Sequence, residues 1–162
     1  MNLLLRLARL ENIPTLQSVE RDADTRFGVE GDVIPEADAR RAVDAGKVTV
    51  AEVDGEIVGW VYLGAIDGEP CVGQISVAVA HGRKGIGTAL LTRAIEQARA
   101  RGADSVVLNT ARDAPWNAPW YARHGFEVVP ESAWSLGLRA VTEAQRAVGV
   151  DWSARVHMRK RL

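Results

Sequence analysis

The sequence predicts a mixed α/β (α+β) fold: a mostly antiparallel sheet of six or seven strands, with helices on both faces. Three observations carry this expectation. Strand-like runs at residues 47–53, 56–66 and 71–80 are separated by Asp54-Gly55 and Asp67-Gly68, dipeptides that favour tight hairpin turns. The pattern then changes to strand, glycine-rich loop, helix and strand, the order of a parallel crossover. Finally, 162 residues at 47% hydrophobic and 25% charged are enough for one buried core without staples, so a single domain over 1–162 is expected.

The elements follow in order. Residues 3–10 alternate imperfectly and predict a first strand. Asn12 and Pro14 mark a helix start, as cap and first-turn residue, and Leu16, Val19 and Ala23 continue one face of that helix to about Phe27-Gly28. Pro35 opens a second helix to about Ala45, closed by Gly46. After the three-stranded meander, Ile86, Leu90, Leu91, Ala94, Ile95 and Ala98 form the buried side of a long helix that Gly102 closes. Residues 105–109 form a short apolar strand. A short helix at 117–124 stops at Gly125, a strand follows at 126–129, and a late helix at 136–148 precedes a last strand at 154–159.

Composition excludes several functions. With 20 basic and 21 acidic residues, the net charge of -1 exerts no general pull on nucleic acid or an anionic membrane. One cysteine, Cys71, allows neither an internal disulfide nor a multi-cysteine zinc site, and the three histidines have no metal-ligand spacing, so no metal is expected. No apolar run approaches the ~18 residues of a membrane span, and the opening residues lack a signal-peptide pattern. The expected compartment is a reducing cytoplasm. A homodimer is left open.

The informative segment is 74–91. A strand ends near Val77, and His81-Gly82-Arg83-Lys84-Gly85-Ile86-Gly87 leads into the long helix. Successive N–H groups at a helix N-terminus make an anion site, and two adjacent cations make phosphate the natural guest. A nucleotide P-loop needs Gly-Lys-Ser/Thr, where this chain has Gly85-Ile86-Gly87-Thr88. A dinucleotide fingerprint needs a third glycine where Leu90 stands and an acidic residue where Asn109 stands. The bland alternative is a plain strand–helix turn.

These residues resemble the acetyl-CoA loop of the GCN5-related N-acetyltransferases. The segment from Trp120-Tyr121 to Gly125-Phe126 is similar to that family's second signature, an aromatic-Tyr pair followed by Gly-Phe. Element order matches over nearly the whole chain. One departure is that the family's loop usually opens with Gln or Arg where Gly82 stands. The resemblance implies a single N-acetyltransferase domain that uses acetyl-CoA as co-substrate, with the sheet splayed after Val77. Ile75, Ser76 and Val77 would offer their backbone to the pantetheine arm. Gly82, Arg83, Lys84, Gly85, Ile86, Gly87 and Thr88 would hold the pyrophosphate, and Asn117 would bond the cofactor.

Acetyl transfer needs a neutral amine, a donor for the oxyanion and a proton for the departing thiolate. Tyr121 matches the family's general acid, and the Val77 N–H its oxyanion donor; core packing is the alternative for Tyr121. The base is open. Gln74 and Asn109 stand where family members carry glutamate. Glu20 and Glu143 are other candidates, although each reads more simply as a solvated helix charge, and a water chain could serve instead. His81 reads as a turn residue, His124 as a helix cap and Cys71 as a packed thiol, with a ping-pong nucleophile as the alternative reading for the cysteine. Trp116, Trp120 and Trp134 crowd the second signature, as pocket walls or as packing.

The expected activity is transfer of acetyl to a primary amine of a small molecule, by direct attack through a tetrahedral intermediate. The rivals are a protein or peptide N-acetyltransferase and a non-catalytic acyl-CoA-binding module.

Overall fold

A computed structural model describes residues 1–28 and 33–162. Among these, seven strands hydrogen-bond in the order β1-β2-β3-β4-β5-β7-β6. The strands are β1 (Leu3–Leu7), β2 (Val48–Val53), β3 (Glu56–Ile66), β4 (Glu69–Val77), β5 (Ser105–Ala111), β6 (Glu127–Val129) and β7 (Arg155–Arg161). The helices are α1 (Ile13–Asp24), α2 (Glu36–Asp44), α3 (Ile86–Ala100), α4 (Ala118–Arg123) and α5 (Leu136–Ala147). β4 and β5 pair in parallel, with Cys71 opposite Val107. β1–β2, β2–β3, β5–β7 and β6–β7 are antiparallel, so the mixed, mostly antiparallel sheet is as expected. The residues fall into two compact units, Met1–Gly64 with Val72–Gln97 and Ala65–Cys71 with Ala98–Leu162.

In the first unit alternation along β2 and β3 sends side chains to opposite faces. Val48, Val50 and Trp60 join Ile13, Leu16 and Val19 of α1 and Ala39, Ala42 and Val43 of α2 in one core. The buried Trp60 indole donates to the Leu16 carbonyl at 2.9 Å, which satisfies the one polar atom this ring brings inside. One residue away, Gly59 faces α3. A Cβ there would lie 3.0 Å from the Ser76 carbonyl and 3.2 Å from Leu90, so only glycine lets helix and strand approach this closely. The unit therefore has helices on both faces of its strands.

Two local expectations need correction. β1 stops at Leu7, and residues 10–12 form a 3-10 turn. Its cause is Asn12, whose Oδ1 accepts the Arg9 N–H at 2.9 Å and an Arg6 guanidinium N–H at 3.2 Å rather than capping α1. β4 likewise ends at Val77, not near residue 80. The Val79 N–H is taken by Asp22 Oδ2 at 2.8 Å, and the His81 and Gly82 N–H groups turn back to the carbonyls of Ala78 and Val79.

In the second unit α5 begins at Ser135, whose hydroxyl accepts the Leu138 N–H at 3.2 Å. Trp152 stacks on His157 with ring centres 4.4 Å apart, and Trp134 meets His157 edge-on at 5.0 Å. The Thr142 hydroxyl donates to the Leu138 carbonyl at 2.8 Å, so it accepts from His157 Nε2 at 2.7 Å. That assigns the proton to Nε2 and leaves Nδ1 buried without a partner. Burial, and then the nearby Arg155 charge, push His157 down to about 4.

This histidine has a measurable consequence. Its folded value lies below the ordinary ~6.5 of an unfolded chain, so the unfolded state binds the extra proton first. Its contribution is fully present above about pH 6.5 and is lost as pH falls toward about 4. Thermal melts of wild type and His157→Gln should diverge in slope across that window, with the variant flatter. Parallel slopes would show that His157 does not titrate on unfolding.

Candidate functional site

The end of β4 delivers the chain into the first of the segments singled out above. Ser76 is buried and its Oγ accepts from Gln74 Nε2 at 2.9 Å, so Gln74 is engaged as a donor along its own strand. Ala78 N–H bonds the Val58 carbonyl at 2.8 Å, the last tie of this stretch to β3. The chain then turns through residues 79–81. Arg83 has φ +59° and Gly85 φ +80°, two left-handed residues that swing the backbone before α3 starts. Glycine adopts that geometry without cost, whereas arginine there is uncommon.

The N–H groups of Arg83, Lys84, Gly85, Ile86 and Gly87 have no backbone acceptor among the described residues. They are the leftover donors of a helix start. Arg83, Lys84, Gly85 and Thr88 are exposed, whereas Ile86 is buried and anchors the helix. The donors and both cations therefore face an accessible edge. His81 sits beside them with its Nδ1 buried and unpartnered.

Glu20 is the residue that sequence reasoning misjudged. It lies in the same unit, on α1, and is only 7% exposed rather than solvated. Its Oε2 accepts the Ile34 N–H at 2.8 Å. Burial pushes its carboxyl above the ordinary range, the Ile34 hydrogen bond opposes that, and Asp24 adds to it. The signal was in the spacing: Leu16, Val19 and Glu20 share one helical stripe, and the first two are core residues.

The second unit carries the other signature. Asn117 donates from Nδ2 to Thr110 Oγ1 at 2.7 Å, while its Oδ1 is buried with no partner. A fixed amide with an empty acceptor fits an incoming N–H. Tyr121 packs edge-on against Trp120 at 4.9 Å and Phe126 at 5.7 Å between ring centres. The Phe126 N–H closes the helix end on the Tyr121 carbonyl at 3.1 Å. Burial raises the phenol above its ordinary value, so Tyr121 carries its proton throughout the physiological range.

Other candidates resolve differently. Asn109 Oδ1 accepts two bonds from the Arg155 guanidinium, at 2.7 and 3.2 Å, and is fully engaged. Glu143 is an exposed helix charge paired with Arg146 at 2.6 Å. The Cys71 thiol is pushed up to about 11, first by burial and then by Glu69, which fits a packed thiol rather than a nucleophile. His124 Nδ1 lies 2.9 Å from the Trp120 carbonyl and caps α4. Trp134 Nε1 donates to the Val129 carbonyl at 3.0 Å within the Trp152–His157 cluster, so it is packing; Trp116 is 40% exposed. Among the described residues no cluster of His, Cys, Asp or Glu could hold a metal, and no helix is long and apolar enough to cross a membrane.

A sequence profile of the acetyltransferase (GNAT) family matches residues 9–126. The chain belongs to this family, whose members are acyltransferases that draw on acetyl-CoA. Solved structures agree in fold. A PaiA N-acetyltransferase from Thermoplasma acidophilum, in complex with coenzyme A, superposes with a TM-score of 0.77 at 17% identity, over 100% of both chains. An N-acetylglutamate synthase from Neisseria gonorrhoeae, with coenzyme A and N-acetyl-glutamate, has a TM-score of 0.77 at 18% identity; the match covers all of this chain and 35% of that one. A ribosomal-protein-alanine N-acetyltransferase from Brucella melitensis has a TM-score of 0.72 at 20% identity, over 98% of this chain and 99% of that one.

The loop geometry can be tested at one position. Gly85 has open space where a Cβ would go, so Gly85→Ala introduces no clash, only a left-handed residue. That costs roughly 1–2 kcal/mol and forces the loop to re-form. Coenzyme A affinity measured by calorimetry should fall at least tenfold. An unchanged affinity would remove Gly85 from the binding surface.

Proposed function

We propose that this acetyltransferase acts on the primary amine of a small molecule, by direct attack of the amine. The observation that carries the reading is Glu20. A nearly buried carboxylate with one oxygen tied to Ile34 is an unusual group on an otherwise apolar stripe. An alkyl ammonium would be drawn to such a carboxylate, and a raised carboxyl is a better proton acceptor than a solvated one. Glu20 is therefore the proposed acceptor-side base. Gln74 holds no proton-accepting group, and Asn109 and Glu143 are engaged elsewhere.

The cofactor supplies an acetyl group activated as a thioester. Its phosphates would be held by the N–H groups of Arg83, Lys84, Gly85, Ile86 and Gly87, with the Arg83 and Lys84 charges and Thr88 beside them; the Gly82 N–H, expected to join them, is instead taken by the Val79 carbonyl at 3.1 Å. The backbone of Ile75, Ser76 and Val77 would bond the pantetheine arm as an added strand, and the Val77 N–H would serve as oxyanion donor. Asn117 Oδ1 would accept an amide N–H. The unsatisfied donors ahead of α3 and the orphaned Asn117 oxygen support this fit.

Tyr121 is the proposed general acid. A phenol at ~10 is already a weaker acid than a thiol at ~8.5, and burial weakens Tyr121 further. Full transfer to a solvated thiolate would run uphill. Tyr121 therefore acts by donating a hydrogen bond as the carbon–sulfur bond breaks. It releases its proton only to a sulfur that the same dryness has made basic.

Two variants and one screen test the reading. Tyr121→Phe keeps the ring and should lower kcat by ~100–10,000-fold with coenzyme A affinity within twofold. Activity within threefold of wild type, with acetyl transfer rate-limiting, would assign the acid to another group. Glu20→Gln should lower kcat/KM for the amine at least tenfold and leave coenzyme A binding intact; no change would remove Glu20 from the acceptor side. Thiol release measured over small amines and N-terminal peptides decides the acceptor. Preference for a peptide by more than tenfold in kcat/KM would overturn the small-molecule reading.

A further inference from the structure

We infer that Arg26 is an additional pyrophosphate-binding residue, adding from the turn after α1 a third cation to Arg83 and Lys84 of the loop. The inference rests on the assignment of residues 82–88 to the phosphates of acetyl-CoA. Gly82 is the only residue of the segment from 81 to 84 without a side chain, although its φ of -65° and ψ of 156° suit any residue. The space beside it is not vacant. A Cβ built on Gly82 would lie 3.4 Å from Arg26 Nη2. The guanidinium of a residue 56 positions earlier in the sequence thus lies in van der Waals reach of the place where a side chain at 82 would start.

The placement is fixed by a second contact. Asp22, one helical turn before Arg26, accepts the Val79 N–H at 2.8 Å and ties the end of α1 to the start of the loop. Arg26 itself lies in the 3-10 turn Thr25–Phe27 and is exposed. It makes no ion pair or hydrogen bond among the described residues. Asp22 is committed to Val79, and Asp24 does not pair with it. An arginine that merely braced the fold would bond a carboxylate or a carbonyl. This one instead brings a guanidinium with no partner among the described residues to a loop that already carries Arg83, Lys84 and N–H groups without a backbone acceptor there. Like charges gathered in this way repel each other until an anion neutralises them. A guanidinium also presents paired donors matched to two phosphate oxygens. Gly82 opens the loop, so the expected contact is the pyrophosphate rather than the 3′-phosphate.

Calorimetry with coenzyme A, dephospho-coenzyme A and phosphate-free pantetheine separates the terms. Arg26→Ala, and Arg26→Gln as a variant that retains the stem, should weaken coenzyme A and dephospho-coenzyme A by the same factor of about ten. Binding of pantetheine, and melting of the free protein, should not change. The loss should shrink as ionic strength rises. Adding Gly82→Arg to Arg26→Ala should recover at least threefold, because only the Val79 carbonyl, 3.3 Å from the new Cβ, has then to give way. Unchanged coenzyme A affinity in both single variants overturns the inference and leaves the loop assignment standing. A loss confined to coenzyme A, absent with dephospho-coenzyme A, overturns the pyrophosphate contact in favour of the 3′-phosphate. An equal loss with pantetheine shows a structural role and also overturns it. Wild-type protein that binds no coenzyme A would overturn the loop assignment itself, and this inference with it.

Discussion

Helix α3 approaches β3 so closely that a methyl group on Gly59 would press on the Ser76 carbonyl and on the Leu90 and Ile86 side chains. Much of the first unit follows from that contact. Ile86 opens α3 and Leu90 lies one turn further on the same side, and both are buried. Pinning them pins the helix start. The N–H groups ahead of it cannot find backbone partners, because a helix start has none to offer. Left-handed Arg83 and Gly85 complete the turn. The result is a set of donors held in place before any ligand arrives, which reduces the ordering cost of binding. The strand end contributes in the same sense: Ser76 is buried and Ala78 is tied to Val58, so the approach to the loop is rigid too.

The second unit presents a different arrangement. Its Tyr121 phenol keeps its proton, and the Asn117 acceptor is unfilled among the described residues. Aromatic packing does the first: Trp120 and Phe126 meet Tyr121 edge-on, and burial raises its phenol. Thr110 does the second, because it occupies the donor end of Asn117 and leaves the acceptor end bare. Elsewhere in the unit Arg155 is held by the neutral Asn109 amide, and Arg159 makes two bonds to Glu69 at 2.8 and 3.0 Å.

The elements were legible where a local rule decides them. Asp54-Gly55 and Asp67-Gly68 are left-handed turn pairs, and β3 between them runs over the residues the turns imply. The long helix was legible from its stripe and the Gly102 stop. Failures came where a side chain far away in sequence competes for the backbone. Asp22 captures the Val79 N–H, and no periodicity in residues 71–80 could announce a partner on α1. Asn12 has the right chemistry to cap α1 but meets Arg9 and Arg6 first. Glu20 was a subtler case. A carboxylate on a helix is usually solvated, and that prior outweighed its position on the buried stripe. Arg26 left no signal at all, since its contact depends on the absence of a side chain at Gly82.

The electrostatics of the chain are therefore local. Its net charge of -1 hides a local concentration of cations, Arg83, Lys84 and Arg26, within one loop and one helix end. The acidic groups follow the same logic. Asp22 next to the loop is committed to a backbone N–H, so it places a formal negative charge near the phosphate edge and spends it on geometry. Glu20 stands on the same helix, two residues before Asp22, buried and with its carboxyl raised. Helix α1 and the turn that follows it thus carry a buried carboxylate and an exposed guanidinium, and the Asp22 tie to Val79 holds both relative to the loop.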